Sequence, residues 1–269
     1  MPTTRQVSPV LRLVALAAAL VAPSLCLPLP AHAQTAPACT APPEFAQFNR
    51  GLPRLAERLA TGGPVTIVAI GSSSTAGAGA SSAAASYPSR LEAALRAKYP
   101  GVPITVLNRG INGEEVRDML ARLDRSVIVE KPDLVLWQLG SNSVLRDHDG
   151  AGNASLIGEA IKRMKATGAD VVLIDPQFAP KILAKAGIDA MLRVISTVAK
   201  EASVELFHRF DVMRHWREAE RIPFETFLSP DQLHMNDWGY NCWAKLMADA
   251  IDRAATRVPQ TASAPAARR

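Results

Sequence analysis

Five short apolar segments recur along the chain, separated by stretches in which hydrophobic residues repeat with a helical period. The segments are Val65–Ile70, Ile104–Leu107, Leu134–Leu139, Val171–Ile174 and Val204–Phe207. Most of them run without polar alternation, which is typical of strands buried on both faces of a parallel sheet. We therefore predict five parallel strands.

The amphipathic stretches around these strands predict helices. They span Pro43–Ala60, Pro88–Lys98, Glu114–Glu130, Ala154–Thr167, Ile188–Glu201, Val212–Ala219 and Trp238–Ala255. Strands and helices alternate without an internal repeat or an interior linker, and each crossover must cover one face of the sheet. The sequence thus predicts one doubly wound α/β domain over residues 44–255.

The N-terminal 33 residues have the pattern of a secretory signal peptide. Arg5 and Arg12 precede the apolar run Leu13–Leu29, and a small-x-small cleavage pattern ends at Ala33. Prolines interrupt this run, which is already short for a membrane span, so a transmembrane anchor is the weaker interpretation. We predict cleavage after Ala33 and a secreted or periplasmic protein without stable membrane insertion.

The net charge of +5, from 30 basic and 25 acidic residues, belongs to the ends of the chain. The excess equals the charges of Arg5, Arg12, Arg257, Arg268 and Arg269. The folded part is therefore neutral and lacks a basic cluster, which argues against a nucleic-acid partner. Residues 34–43 are predicted to be flexible and residues 256–269 to form a disordered tail. The oligomeric state is left open.

Three cysteines occur, and Cys26 leaves with the predicted signal peptide. Cys39 and Cys242 remain. In an oxidising compartment they can form a disulfide between the N-terminal arm and the last helix, but two free thiols are equally compatible with the sequence.

Candidate chemistry follows the strands, because ligands of doubly wound sheets bind at the carboxyl ends of the strands. After the first strand, the run Gly71-Ser72-Ser73-Ser74-Thr75 places serines in a tight turn before a helix, as in a nucleophile turn. An ordinary Gly/Ser loop is the alternative. The segment lacks the Gly-Lys-Ser/Thr of a phosphate loop.

Two further loops offer hydrogen-bond donors. Gly110 follows the second strand and can present its backbone N–H to an oxyanion, and Asn142 follows the third strand and can present its side-chain amide. Asp231 precedes His234 by three residues just before the last helix, a spacing that lets the carboxylate fix the imidazole tautomer. Each feature alone also fits a simple turn.

The ordered set of four loops resembles the SGNH hydrolases, also called the GDSL esterase/lipase family, over Val65 to about Ile251. The resemblance implies a flavodoxin-like three-layer α/β/α sandwich with a five-stranded parallel sheet. It makes Ser73 the nucleophile, and Ser73 N–H, Gly110 N–H and Asn142 the oxyanion hole. His234 becomes the general base with Asp231 as its orienting carboxylate, and no metal or organic cofactor is required.

The chain departs from the family pattern at two positions. Ser72 stands at the usual Asp before the nucleophile, and Ser143 replaces the Asp that usually follows Asn142. Both changes remove carboxylates that support loops, and the serine run leaves the position of the nucleophile open by one residue. Ser73 is preferred because it lies two residues after Gly71 and two before Thr75.

These features predict a secreted serine ester hydrolase that acts on small-molecule or glycan esters, preferably with short, O-acetyl-type acyl groups. Loops 144–153 and 177–187 are expected to form the walls that select the substrate. A lipase, lysophospholipase or thioesterase of the same family is an alternative. A non-catalytic glycan-binding or envelope-binding module on the same fold is another.

Overall fold

The computed structural model describes residues 1–3, 37–148 and 150–257. The predicted signal peptide therefore lies outside the described residues except for its first three positions. The predicted tail lies outside them beyond Arg257. The described residues from Pro37 onward belong to one compact unit.

A five-stranded, wholly parallel sheet forms the centre of this unit. Its strands are β1 (Val65–Gly71), β2 (Ile104–Gly110), β3 (Leu134–Gln138), β4 (Asp170–Ile174) and β5 (Glu205–Phe207). The spatial order is β2-β1-β3-β4-β5. This confirms the predicted flavodoxin-like α/β/α class, and each predicted strand agrees with the observed one to within three residues.

Helices follow or separate the strands. They are α1 (Pro43–Ala46), α2 (Pro53–Thr61), α3 (Ser73–Ala76), α4 (Tyr87–Lys98), α5 (Val116–Ala121), α6 (Leu123–Ser126), α7 (Ser141–Leu145), α8 (Ala151–Lys165), α9 (Pro180–Leu183), α10 (Ile188–Glu201), α11 (Arg209–Glu218), α12 (Phe224–Phe227) and α13 (Asp237–Thr256). Short 3-10 turns add Ala83–Ala85 and Ile128–Glu130. Helix α13 packs against α2 and α4, and α8 packs against α5 and α10.

Two predicted helices are broken in the structure. The predicted helix Pro43–Ala60 is interrupted, because Pro53 lacks a backbone N–H and begins a new helix, α2. The predicted helix Glu114–Glu130 divides into α5, α6 and a 3-10 turn. Arg122 lies between α5 and α6 with φ −109° and ψ 6°, outside the helical region. Its buried guanidinium instead binds Glu114 and the carbonyl of Arg109.

The strand order reverses beside β1, whose neighbours are β2 and β3. Loops after β1 and β3 leave the sheet in a region that parallel α/β proteins use for ligands. Both strands are almost entirely buried, so the loops that follow them rest on a rigid base. The fold therefore supports a site built from the residues just after Gly71 and Gln138.

A disulfide joins Cys39 to Cys242 of α13, with their α-carbons 5.3 Å apart. Close by, the indole N–H of Trp216 donates to the carbonyl of Thr40 at 2.8 Å. Cys39 and Thr40, in the segment 34–43, therefore contact the folded unit. In the part of the chain that the structure describes, no helix is long and apolar enough to span a membrane.

Candidate active site

Ser73 is the first residue of α3, directly after the turn that leaves β1. The turn is tight enough to require glycine at two places. A Cβ on Gly71 would lie 2.2 Å from Thr75 Oγ1, and a Cβ on Gly110 would lie 2.2 Å from the Ala76 nitrogen. Among the described residues the N–H of Ser73 has no acceptor, as expected in the first turn of a helix.

His234 joins this turn to the loop before α13. Its Nε2 lies 2.7 Å from Ser73 Oγ, and its Nδ1 lies 2.5 Å from Asp231 Oδ2. The three side chains thus form a continuous hydrogen-bonded chain from hydroxyl to carboxylate. This is the arrangement in which an imidazole can accept a hydroxyl proton while a carboxylate holds its tautomer.

The Asp231 carboxylate is fixed by its own loop. Its Oδ1 accepts hydrogen bonds from Ser229 Oγ at 2.7 Å and from the backbone N–H groups of Leu233 and His234 at 2.9 Å. Partial burial acts to raise the pKa of Asp231, but these hydrogen bonds and that of His234 hold the pKa well below its usual value. The carboxylate is therefore ionised at neutral pH.

The other serines of the run have different contacts. Ser72 is buried, and both its N–H and its Oγ donate to Gln138 Oε1, at 3.0 and 3.1 Å. Ser74 is also buried. Within the run, the contact to His234 belongs to Ser73.

Asn142 lies in α7 beside the loop after β2. Its Nδ2 donates to the carbonyl of Glu114 at 2.8 Å, which fixes the direction of the amide. An amide group carries two N–H bonds, so the second remains available to a ligand. The geometry is compatible with the predicted donor role.

Gly110, the glycine predicted as an oxyanion donor, is engaged within the protein. Its N–H donates to the side chain of Asn108 at 2.9 Å and is therefore already occupied within its own strand end. The N–H of Gly113, three residues later, has no acceptor in residues 37–148 or 150–257, and Gly113 has a left-handed φ of +80°. The next residue, Glu114, holds Asn142, so Gly113 is the better-placed glycine of this loop.

Ser143 and Glu115 show how the loop is supported without the family's usual aspartate. Ser143 Oγ donates to Glu115 Oε2 at 2.9 Å, and Arg146 and His148 bind the same carboxylate at 2.5 and 3.0 Å. A second guanidinium nitrogen of Arg146 donates to the carbonyl of Gly113 at 2.8 Å. The carboxylate is thus supplied by the loop after β2 instead of by α7.

Gln138 and Glu115 are supporting residues that the sequence did not identify. Gln138 Oε1 accepts three hydrogen bonds, from Ser72 N–H, Ser72 Oγ and Thr75 Oγ1. The sequence feature that could have identified Gln138 is its polar side chain near the end of the apolar segment Leu134–Leu139. Glu115 forms a local capping box with Asp118 at the start of α5, but the partners that it holds in the neighbouring loop, Ser143 and Arg146, are 28 or more positions away in the sequence.

The two loops expected to form the substrate walls touch each other. Lys185, which follows α9, forms an ion pair with Asp147 at 2.6 Å. Asp147 follows α7, which carries Asn142. The described residues include no group of three or more side chains that could hold a metal ion.

The chain belongs to the non-GDSL lipase-like family, whose model matches residues 38–257. This confirms the predicted resemblance to the SGNH hydrolases. The family is described as non-GDSL, and this chain accordingly carries Gly71-Ser72-Ser73 in place of Gly-Asp-Ser.

Two curated relatives are esterases. Acetylxylan esterase of Geobacillus stearothermophilus is 47% identical over 55 residues, which are 20% of this chain and 25% of that protein. Arylesterase of Vibrio mimicus is 32% identical over 125 residues, 46% of this chain and 61% of that protein. The matched segments therefore span about a quarter to three fifths of these relatives.

Among solved structures, a two-domain esterase active on acetylated mannans aligns with a TM-score of 0.66 and 23% identity. The alignment covers 82% of this chain and 58% of that chain. At this identity the likeness concerns the fold.

Proposed function

We propose that this protein hydrolyses carboxylic esters, with Ser73 as nucleophile, His234 as general base and Asp231 as orienting carboxylate. The observation that carries the proposal is the hydrogen-bonded chain from Ser73 Oγ through His234 to Asp231, with contacts of 2.7 and 2.5 Å. A serine hydroxyl is a weak nucleophile unless an adjacent base removes its proton.

In the first half-reaction, His234 takes the proton of Ser73 while Oγ attacks the ester carbonyl carbon. His234 then returns the proton to the alkoxide leaving group, which departs as an alcohol. In the second half, a water molecule gives a proton to His234 and attacks the acyl-enzyme. The carboxylic acid is released and Ser73 regains its proton.

We assign the oxyanion hole to the N–H of Ser73, the free amide N–H of Asn142 and the N–H of Gly113. Gly113 replaces Gly110 in this set because the N–H of Gly110 already donates to Asn108. Fixed donors aimed at a developing negative charge stabilise the transition state without reorganisation. The bond from Asn142 to the Glu114 carbonyl supplies that fixation.

For the substrate we propose a short-acyl ester, preferably an O-acetyl group on a glycan. The similarity of this chain to an acetylxylan esterase and to an esterase active on acetylated mannans supports this choice. A panel of p-nitrophenyl esters from acetate to palmitate tests it, and we expect the highest kcat/KM at acetate. A maximum at long chains would favour the lipase or lysophospholipase alternative.

The chemical proposal is tested by Ser73→Ala on p-nitrophenyl acetate. We expect kcat to fall by at least about 10³-fold, since removal of a nucleophile leaves only binding and oxyanion stabilisation. Ser155→Ala, at an exposed serine of α8, is the matched control and should keep wild-type activity. Normal turnover by Ser73→Ala would contradict the proposal.

We further propose that the protein is exported. Its N-terminal sequence pattern and the Cys39–Cys242 disulfide, which suits an oxidising compartment, both support export. N-terminal sequencing of the protein recovered from periplasm or medium should begin at Gln34. Recovery of the full-length chain from the cytoplasm alone would contradict it.

A further inference from the structure

A surface-open cavity of about 360 Å³ lies beside the loop that carries Asp231 and His234. Two of its lining residues touch that loop. Ser229 donates to Asp231 Oδ1 at 2.7 Å, and a Cβ on Gly79 would lie 2.9 Å from His234 Cβ. The cavity therefore adjoins the backbone side of His234.

The cavity is separate from the place where the acyl group reacts. Its lining contains none of the three residues proposed to bind the oxyanion, which are Ser73, Gly113 and Asn142. A molecule in the cavity would thus lie beside the loop that carries Asp231 and His234 without occupying the position of the acyl group. It can belong to the alcohol side of the substrate.

Two polar side chains of the lining are unused by the protein. Within the described ranges, the carboxylate of Glu225 and the side-chain amide of Gln232 have no hydrogen bond or ion pair. Asn236, also in the lining, differs because its Nδ2 donates to the Leu228 carbonyl and its Oδ1 accepts from Gly239 N–H. Glu225 and Gln232 are therefore the groups available to a ligand.

Apolar surface completes the lining. Phe224 and Leu228 stand beside these polar groups, and the Phe224 ring is held by the Arg217 guanidinium 5.1 Å from its centre. A carboxylate and an amide next to apolar carbon match a sugar ring, whose hydroxyls bind the polar groups and whose C–H groups pack on carbon. An acyl chain gains nothing from an ionised carboxylate, and an anion is repelled by it.

We propose that this cavity is a subsite for a sugar unit of the substrate, adjacent to the unit that carries the ester. The proposal rests on the ester hydrolase function above and names its substrate class as an acetylated oligosaccharide. Catalytic efficiency should then be higher on acetylated oligosaccharides than on an acetylated monosaccharide glycoside, because the single sugar leaves the subsite empty.

Two variants test the subsite, Glu225→Ala and Gln232→Leu. Each removes a polar group from the lining and leaves the three catalytic side chains in place. We expect kcat/KM on acetylated xylo- or manno-oligosaccharides to fall about tenfold in each, the effect of losing a hydrogen bond to a charged or polar group. On p-nitrophenyl acetate, which does not reach the subsite, kcat/KM of each variant should stay within about twofold of the wild-type value.

Glu218→Ala is the matched control, since Glu218 is an exposed carboxylate without an ion pair in the described residues and outside the cavity lining. It should keep wild-type rates on both substrates. A second readout uses Ser73→Ala, which cannot turn over, titrated with non-acetylated oligosaccharide by calorimetry. Binding should occur, and adding Glu225→Ala should weaken it about tenfold.

Three results with the variants would contradict the proposed subsite. They are equal losses on both substrates, unchanged rates on oligosaccharides, or a gain by Glu225→Ala on long-chain esters, which would assign the cavity to an acyl chain. Equal wild-type efficiency on acetylated mono- and oligosaccharides would also contradict it. Failure of the hydrolase proposal differs, because the wild-type protein would then not cleave p-nitrophenyl acetate at all.

Discussion

Gln138 Oε1 accepts hydrogen bonds from both the N–H and the Oγ of Ser72, the residue just before the proposed nucleophile. Both residues are buried. Ser72 stands where related enzymes carry an aspartate, so the support of the nucleophile turn comes from the end of β3 instead of from the turn itself. The amide oxygen of Gln138 therefore positions Ser73 through its neighbour.

We expect Gln138→Leu to lower kcat on p-nitrophenyl acetate by about 10- to 100-fold with little change in KM, because a small displacement of the nucleophile is costly. Stability should fall by about 1–3 kcal/mol, since buried donors of Ser72 lose their acceptor. Gln138→Glu retains an acceptor and should recover part of kcat. Equal losses in both variants would contradict the positioning role.

Asn142→Ala tests the oxyanion hole. We expect a loss of about 10²- to 10³-fold in kcat, with KM nearly unchanged, because the amide acts on charge that develops in the transition state. Thermal unfolding should show that the fold survives the loss of one hydrogen bond to Glu114. A loss of less than about threefold would remove Asn142 from the set of donors.

Asp231→Asn tests the orienting carboxylate. We expect kcat to fall by up to about 10⁴-fold, since an amide favours the wrong tautomer of the imidazole. The pKa of Asp231 is held low by its hydrogen bonds, so ionisation of this group should contribute no inflection to the wild-type pH–rate profile between about pH 5 and 8. Near-normal turnover by the variant would show that His234 works without the carboxylate.

Asp175 makes a testable contribution to the pH dependence of stability. Burial raises its pKa to about 8, well above the value of about 3.9 in an unfolded chain. Between these values the folded state holds a proton that the unfolded state has released. Asp175 therefore makes the free energy of unfolding fall as pH rises from about 4 to 8.

Asp175→Asn should remove this dependence and keep the acceptor for Phe210 N–H. Urea unfolding at pH 5, 6, 7 and 8 should show the variant gaining stability relative to wild type with each step. Burial lowers the pKa of the nearby His208, which opposes the trend, but His208 is present in both proteins. A constant difference across the series would contradict the assignment.

The Cys39–Cys242 disulfide closes a loop with a sequence separation of 203. Cross-links of such length stabilise by restricting the unfolded chain, so Cys39→Ser with Cys242→Ser should lose about 2–4 kcal/mol. For a domain of this size, Tm should fall by about 5–15 °C. Turnover at 25 °C should be unaffected, and an unchanged Tm would show that the bond is absent in solution.

The fold was predictable because strands buried on both faces leave continuous apolar runs. The breaks in the helices were harder to foresee. Pro53 did mark one of them, but the break at Arg122 depends on a buried guanidinium that binds Glu114 and the Arg109 carbonyl. That interaction exists only once the loop after β2 has folded.

The residues of the site also fall into two groups, those that local sequence patterns indicate and those that they do not. The spacing of Asp231 and His234 and the serine after β1 are local patterns, and the structure brings these side chains into contact, while their roles remain predictions. The sequence could not show that the N–H of Gly110 already has an acceptor, because its hydrogen bond to Asn108 depends on backbone conformation. Gln138 and Glu115 were missed because the loop residues that they support, Ser72 and Ser143, are distant from them in sequence.

The most direct measurement is labelling with a fluorophosphonate, followed by mass spectrometry of the digested protein. We expect one adduct, located on Ser73 by fragmentation, absent in Ser73→Ala and much slower to form in His234→Ala. Such a result requires a serine activated by its histidine. An unlabelled wild-type protein would contradict the proposed nucleophile and favour a binding module on this fold, and an adduct at another residue would contradict the assignment to Ser73.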